Sequence, residues 1–188
     1  MTGASGVQYG LRLLQCLAEA GYPLYVLVSK PAQVVVGMET DIKLPSRIHE
    51  MQAFLQEYCG ATDGQIQVFD KEQWTAPVAS GSGAPQAMIV CPCTTGTLSA
   101  IACGNSNNLI ERAADVVLKE RKTLILVPRE SPFSVIHLEN MLRLARAGAV
   151  ILPPNPGFYH QPQTLDDTLN DSRRIRHILA AMSQHDRA

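Results

Sequence analysis

"AMIVCPCTTGTLSAIACGNSNNLIERAADVVLKERKTLILVP" (residues 87–128) decides the fold. "AMIVC" and "TLILVP" are short, continuously apolar runs that read as buried strands. Between them, "TTGTLSAIACG" and "NNLIERAADVVLKERK" carry apolar residues at helical spacing. Strands joined through helices run parallel, with right-handed crossovers. The alternation continues outward in both directions. Upstream stand the helix "YGLRLLQCLAEAG" (9–21), the strand "PLYVLVS" (23–29), expected to be buried on both faces, and the helix "PAQVVVGMET" (31–40). After a loop over 41–46 come the helix "IHEMQAFLQEYCG" (48–60), ended by Gly60, the strand "QIQVF" (65–69) and a Gly/Ser/Pro-rich loop, "APVASGSGAP" (76–85), expected to be mobile. Downstream follow the helix "SVIHLENMLRLARAG" (134–148), the strand "AVILP" (149–153) and a C-terminal helix at about 164–183. The expectation is one α/β domain over residues 1–188: a parallel sheet with helices on both faces.

The composition narrows the ligand class. Hydrophobic residues make up 46% of the 188 and charged ones 18%, which favours a protein that buries surface against copies of itself. A formal net charge of −1 without a basic run gives no footprint for nucleic acid or an anionic membrane. A small molecule is the expected partner. Five cysteines with no signal peptide ahead of them argue against a secreted disulfide framework and fit a reducing cytoplasm. Cys91-Pro92-Cys93 lacks CxxC spacing and a nearby histidine, so no metal site is expected.

Ligands of parallel sheets bind beyond the carboxyl ends of the strands. That rule selects "GASG" (3–6), "SK" (29–30), "PCTTGT" (92–97), "PRESP" (128–132) and "PPNPGFYH" (153–160). Each brings glycines, small hydroxyl residues or a cation, as an anionic ligand spread along the sheet edge requires. Gly3 and Gly6 permit a tight turn beside a helix N-terminus, and Ser5 offers a hydroxyl there. Thr94, Thr95 and Thr97 surround Gly96 at the start of another helix, where plain N-capping is the competing explanation. Arg112 and Lys119, seven residues apart, share one face of a helix opposite Ile110, Ala113 and Val117, a pattern that a merely solvated cationic face would also give. Arg129 and Glu130 leave a buried strand between Pro128 and Pro132, and Tyr159 follows the last strand. His137 sits within a helix and reads as a packed or partner-bonded residue rather than a base, because no nucleophile is paired with it.

Long segments of the chain carry a family resemblance: "TGASGVQYGLRLL", "VSKPAQVVVGMET", "APVASGS", "MIVCPCTTGTLSAIACG", "NLIERAADVVLKERKTLILVPRESP" and "IHLENMLRLARAGAVILPPNPGFYHQPQTLDD". Over residues 2 to about 168 the chain resembles the UbiX-type flavin prenyltransferases, a family long known as 3-polyprenyl-4-hydroxybenzoate carboxy-lyases. The resemblance implies a Rossmann-like, flavodoxin-type domain that binds FMN. It also implies transfer of the dimethylallyl group of dimethylallyl monophosphate to N5 and C6 of reduced FMN, without a metal. The product, prenylated FMN, would serve a UbiD-type decarboxylase, in ubiquinone biosynthesis or aromatic-acid decarboxylation. FMN contacts fall on Gly3, Ala4, Ser5, Ser29, Thr94, Thr97 and Arg129. The prenyl phosphate falls to Arg112, Lys119, Arg129, Glu130 and Tyr159, and Ser5 and Glu39 are the proton-handling groups near the flavin. A phosphate-site arginine on the C-terminal helix matches Arg176 best, with Arg173 and Arg174 as alternatives. A homododecamer built from trimers is implied, with the helix of Arg112 and Lys119 facing a neighbour's flavin as well as its own. Related chains form a central first strand from the residues before "TGASG". This chain is therefore expected to start at that strand's last residue, with the native start upstream.

Two other readings use the same residues. FMN-dependent cysteine decarboxylases of this fold carry "PASANT" where this chain has "PCTTGT", and a catalytic histidine near the first helix, whereas no histidine here precedes His49. A non-catalytic FMN-binding module would need fewer cations than "RAADVVLKER" and "PRESP" provide. The opening turn is not GxGxxG, which disfavours a nicotinamide-binding domain.

Overall fold

Parallel pairing organises every strand of the computed structural model, which describes residues 1–155 and Gln161. The elements are α1 (Val7–Glu19), β1 (Leu24–Leu27), α2 (Lys30–Glu39), α3 (Ile48–Cys59), β2 (Ile66–Phe69), β3 (Ala87–Cys93), α4 (Thr95–Ala102), α5 (Leu109–Lys119), β4 (Thr123–Pro128), α6 (Val135–Arg146) and β5 (Val150–Ile151). β1 pairs with β2, Leu24 opposite Ile66. In a second sheet, ordered β3-β4-β5, Ala87 lies opposite Thr123 and Ile125 opposite Val150. Residues 1 and 2 reach both sheets. The Met1 amino group donates to the Leu27 carbonyl at 2.7 Å, and Ser29 N–H donates to the Met1 carbonyl at 3.1 Å. On the other side, Thr2 donates to the Pro92 carbonyl through its N–H at 3.1 Å and its hydroxyl at 2.8 Å.

β4 shows why the strands read as unbroken apolar runs. All six of its residues are buried. Leu124 and Leu126 pack with Leu98, Ile101, Ala114, Val117 and Leu144 from α4, α5 and α6. Ile125 and Val127 point the other way, onto Leu13 and Leu17 of α1. Alternate side chains of one strand thus face helices on opposite sides of the sheet. A second core joins Val26 and Val28 to Ala32, Met51, Leu55, Ile66 and Val68. Gly10 lets α1 settle on β3, because a Cβ there would collide with the Cys91 carbonyl group.

Three local expectations need correction. Only Val26 of β1 is fully buried; on the opposite face Leu27 packs toward Leu109 and Ala113 of α5, while Tyr25, edge-on to Phe69 at 5.4 Å, stays 44% exposed. The segment 76–85 is packed rather than loose. It forms two 3-10 turns, Pro77–Ala79 and Gly81–Gly83, and buries Ala76 and Val78 against Leu109 and Ala113. Gly83 serves a close approach there, since its Cβ would lie 2.6 Å from the Pro77 carbonyl oxygen. β3 also continues through Pro92 to Cys93, with a break in the pairing register between Val90 and Cys93, so "CPC" belongs to the strand. Among the described residues no helix is long and apolar enough to cross a membrane.

Candidate functional site

Helix N-termini converge where β1 and β3 end. Ser29 caps α2, its hydroxyl oxygen accepting from Ala32 N–H at 3.2 Å. Thr94 caps α4 by accepting from Thr97 N–H at 3.0 Å, and the two threonine hydroxyls bond to each other at 2.9 Å. Asn108 caps α5, its Oδ1 accepting from Ile110 N–H at 3.0 Å and Glu111 N–H at 3.1 Å. These three caps line a cavity of about 320 Å³ together with Thr2, Gly3, Thr97, Asn107, Lys30 and Lys71. Helix starts carry partial positive charge and spare N–H donors, and two lysines add to it, Lys30 and Lys71, the latter paired with Glu72 at 3.1 Å. No carboxylate lines the cavity among the described residues. The arrangement is a receptor for an anion bearing several acceptor oxygens, as a phosphate monoester does.

The opening turn is fixed from two sides. The Thr2 hydroxyl oxygen accepts from Thr94 N–H at 2.8 Å, which ties the turn to the start of α4. Gly3 lies so close to α2 that a Cβ would sit 2.9 Å from the Pro31 carbonyl carbon. Ala4 is buried, Ser5 lies half-exposed on the turn, and Gly6 adopts φ 89° at the N-cap of α1. Glu39, the last residue of α2, substitutes for a side-chain cap there. Its Oε2 accepts from Gly6 N–H at 2.8 Å and Val7 N–H at 3.2 Å, and its carbonyl accepts from Gln8 Nε2 at 3.1 Å.

Of the residues singled out in the sequence, the protomer brings Gly3, Ser29, Thr94 and Thr97 to one cavity, with Ala4 and Ser5 on the adjoining turn. Arg129 and Glu130 are exposed at the exit of β4. There Arg129 N–H donates to the Cys93 carbonyl at 3.3 Å and the Glu130 carboxylate accepts from Ser131 N–H at 3.0 Å. Arg112 turns away from the cavity. Its Nε donates to the Ala79 carbonyl at 3.1 Å and its Nη1 meets Asp115 at 2.8 Å. Lys119 pairs with Glu120, and this hydrogen bond holds the Glu120 carboxyl below its ordinary range. It stands about 13 Å along α5 from Ile110 in the cavity wall, at 1.5 Å per residue. Tyr159, Arg173, Arg174 and Arg176 lie outside the described residues. His137 is partner-bonded, completing a capping box with Ser134.

Sequence reasoning passed over Thr2, Lys71, Asn107, Asn108 and Glu111. A signal for two of them, Asn108 and Glu111, was present: an asparagine followed three residues later by glutamate, just before an apolar helical run, is a helix-start signature.

Residues 1–184 match the model of the Flavoprotein family. The flavin prenyltransferase UbiX of Pseudomonas aeruginosa is 64% identical over 170 residues, 90% of this chain and 81% of the relative. The crystal structure of AnUbiX in complex with FMN and dimethylallyl pyrophosphate superposes with a TM-score of 0.84 at 37% identity, covering 97% of this chain and 89% of that one. A dodecameric FMN-dependent UbiX-like decarboxylase from Escherichia coli O157:H7 gives a TM-score of 0.82 at 35% identity, covering 97% and 95%. The chain belongs to the UbiX flavin prenyltransferases of the Flavoprotein family.

Proposed function

We infer that the protein is a flavin prenyltransferase that binds FMN with its phosphate end in the cavity of Ser29, Thr94, Thr97 and Asn108. Reduced FMN and dimethylallyl monophosphate are its substrates, and prenylated FMN is its product. The observation that carries this reading is the convergence of three capped helix starts and two lysines on a cavity free of carboxylates among the described residues. The donor set fits the group: hydroxyls, amides and helix-terminal N–H groups suit a phosphate and a polyhydroxyl chain, and Gly3 lets the opening turn close against Pro31 at the start of α2.

When bound, reduced flavin supplies the two ring atoms, N5 and C6, that receive the five-carbon group. The chain's own residues do the rest. Arg112, Lys119, Arg129, Tyr159 and Arg176 are assigned to the prenyl phosphate, with Glu130 beside them. Fixed cations and donors of this kind stabilise the charge that grows on a departing phosphate. Ser5 and Glu39 are assigned to proton handling. Glu39 has one carboxylate oxygen pinned by Gly6 and Val7, which sets its orientation. An allylic fragment must be kept from water, so apolar walls matter more than further acid-base groups.

Within one protomer Arg112 is engaged by Ala79 and Asp115, and Lys119 by Glu120, away from the cavity, an arrangement that suits a site shared between copies of the chain. We propose a dodecamer in which α5 presents Arg112 and Lys119 to a neighbour's flavin. Apolar residues exposed on the protomer support this: Val135, Ile136, Leu138 and Leu142 on α6, and Val34 and Met38 on α2. The product is proposed to pass to a UbiD-type decarboxylase. The test is release of inorganic phosphate from dimethylallyl monophosphate under anaerobic conditions. Release should require both protein and reduced FMN, and release that is indifferent to the flavin would overturn the reading.

A further inference from the structure

We propose that Glu111 is a positioning residue for flavin binding, acting by clamping the Asn107–Asn108 wall of the cavity; the proposal rests on the flavin reading above. Glu111 is a charged residue only 9% exposed, and the reaction described above does not use it. Both its carboxylate oxygens are engaged. Oε2 accepts from Asn107 N–H at 2.8 Å, and Oε1 accepts from Asn108 Nδ2 at 2.8 Å. The orientation of the Asn108 amide follows from the network, because its Oδ1 already caps Ile110 and Glu111. Leu109 N–H donates to the Lys71 carbonyl at 2.7 Å, which ties the Lys71 backbone to the start of α5 beside the clamp. Asn107, Asn108 and Lys71 line the cavity together with Ser29 and Thr94.

The chemistry requires a carboxylate. Two N–H donors arrive from two directions, and only a group that accepts at both oxygens satisfies them. Glu111→Gln keeps size and shape but turns one acceptor into a donor, which then faces either Asn107 N–H or the Asn108 amide. The wall loses its single conformation. If it holds the binding geometry about one-tenth of the time, the apparent Kd for FMN rises about tenfold.

The experiment titrates FMN into wild type, Glu111→Gln, Glu111→Asp, Asn108→Asp and the Glu111→Gln/Asn108→Asp double variant, with thermal unfolding of each without ligand. Asn108→Asp keeps the oxygen that caps α5 and loses the donor to Glu111, so Glu111→Gln and Asn108→Asp should each raise the FMN Kd about tenfold. The double variant should stay well short of the hundredfold that independent effects would give, because the exchanged donor and acceptor pair again. Glu111→Asp, too short to reach both donors, should fall between wild type and Glu111→Gln. At saturating FMN the prenylation rate of Glu111→Gln should stay within about twofold of wild type, placing the defect in binding. A lower unfolding temperature with an unchanged Kd would mean simple helix capping and would overturn the proposal. Should Glu111→Gln fail to fold, Asn108→Asp decides: wild-type FMN affinity in that variant overturns the proposal. A wild-type protein that binds no FMN would refute the flavin reading itself.

Discussion

Glu39 performs two separable jobs, and two substitutions divide them. Glu39→Ala removes the acceptor of Gly6 N–H and Val7 N–H at the start of α1. A hydrogen bond to a charged group contributes about 1.5–3 kcal/mol, and a carboxylate at a helix N-terminus about 0.3–1 kcal/mol more. The site is half-buried, so water recovers part of this, leaving a net cost of about 2 kcal/mol. For a chain of 188 residues that lowers the unfolding midpoint by about 5 °C. Glu39→Gln keeps an oxygen in place and loses mainly the charge term, so its midpoint should drop by no more than about 2 °C. Turnover should rank differently. A residue that moves a proton contributes about 10²–10⁴ to rate, so Glu39→Gln should slow single-turnover prenylation at least about 100-fold while melting almost like wild type. Glu39→Ala should show that defect and weaker FMN binding as well, because the turn of Gly3 to Gly6 loses its anchor. The assay is thermal unfolding without ligand beside anaerobic single-turnover kinetics. A Glu39→Ala midpoint within 1 °C of wild type would refute the capping argument, and wild-type turnover by Glu39→Gln would refute the proton role.

Lys119→Ala should slow prenyl transfer roughly 100- to 1,000-fold, the effect of losing one preorganised electrostatic contact, and leave the FMN Kd unchanged. Arg129→Ala should weaken both, and Tyr159→Phe should lie between wild type and Lys119→Ala in rate, as stopped-flow and FMN titration will show. Gly3→Ala drives a methyl into Pro31 and should raise the FMN Kd more than about tenfold, measured by calorimetry. Burial pushes the thiol of Cys59 up to about 11 and those of Cys91 and Cys93 up to about 12, so iodoacetamide at pH 8 should spare all three in the native protein and alkylate them after unfolding. Those thiols titrate near 9 once unfolded. Their contribution is therefore intact below pH 9 and lost as pH rises toward 11–12, which alkaline unfolding followed by tryptophan fluorescence will register. Light scattering at micromolar concentration should give about twelve times the chain's 20.5 kDa, and a monomer mass would remove the proposed route by which Lys119 reaches a flavin.

The strand exits were legible because the parallel-sheet rule and the N-cap preference of serine and threonine act locally. "VSKP" and "CTTGT" therefore land on the cavity through Ser29, Thr94 and Thr97. Spacing also placed Arg112 and Lys119 on one face of α5, but a spacing of seven names a face and not what that face meets. Here it meets the 77–83 turns rather than the cavity. The Gly/Ser/Pro segment misled because glycine serves close packing as readily as it serves freedom, and at Gly83 it does the former. The burial of β1 was overstated for a related reason: an apolar run does not reveal how far along a face a covering helix reaches, and α5 covers Leu27 but leaves Tyr25 44% exposed. Asn108 and Glu111 carried a readable capping signature. The place of Asn108 in the cavity wall, and the tie from Leu109 to Lys71, depend on segments far apart in the chain coming together, which no local pattern encodes.

The most direct test of the central claim is the mass of the flavin after reaction. The purified protein, reduced FMN and dimethylallyl monophosphate are incubated without oxygen, and the flavin is extracted for mass spectrometry. The account predicts a flavin heavier by one five-carbon unit, formed with wild type and greatly diminished with Lys119→Ala. Recovery of unmodified FMN alone from a wild-type protein that binds both substrates would contradict it.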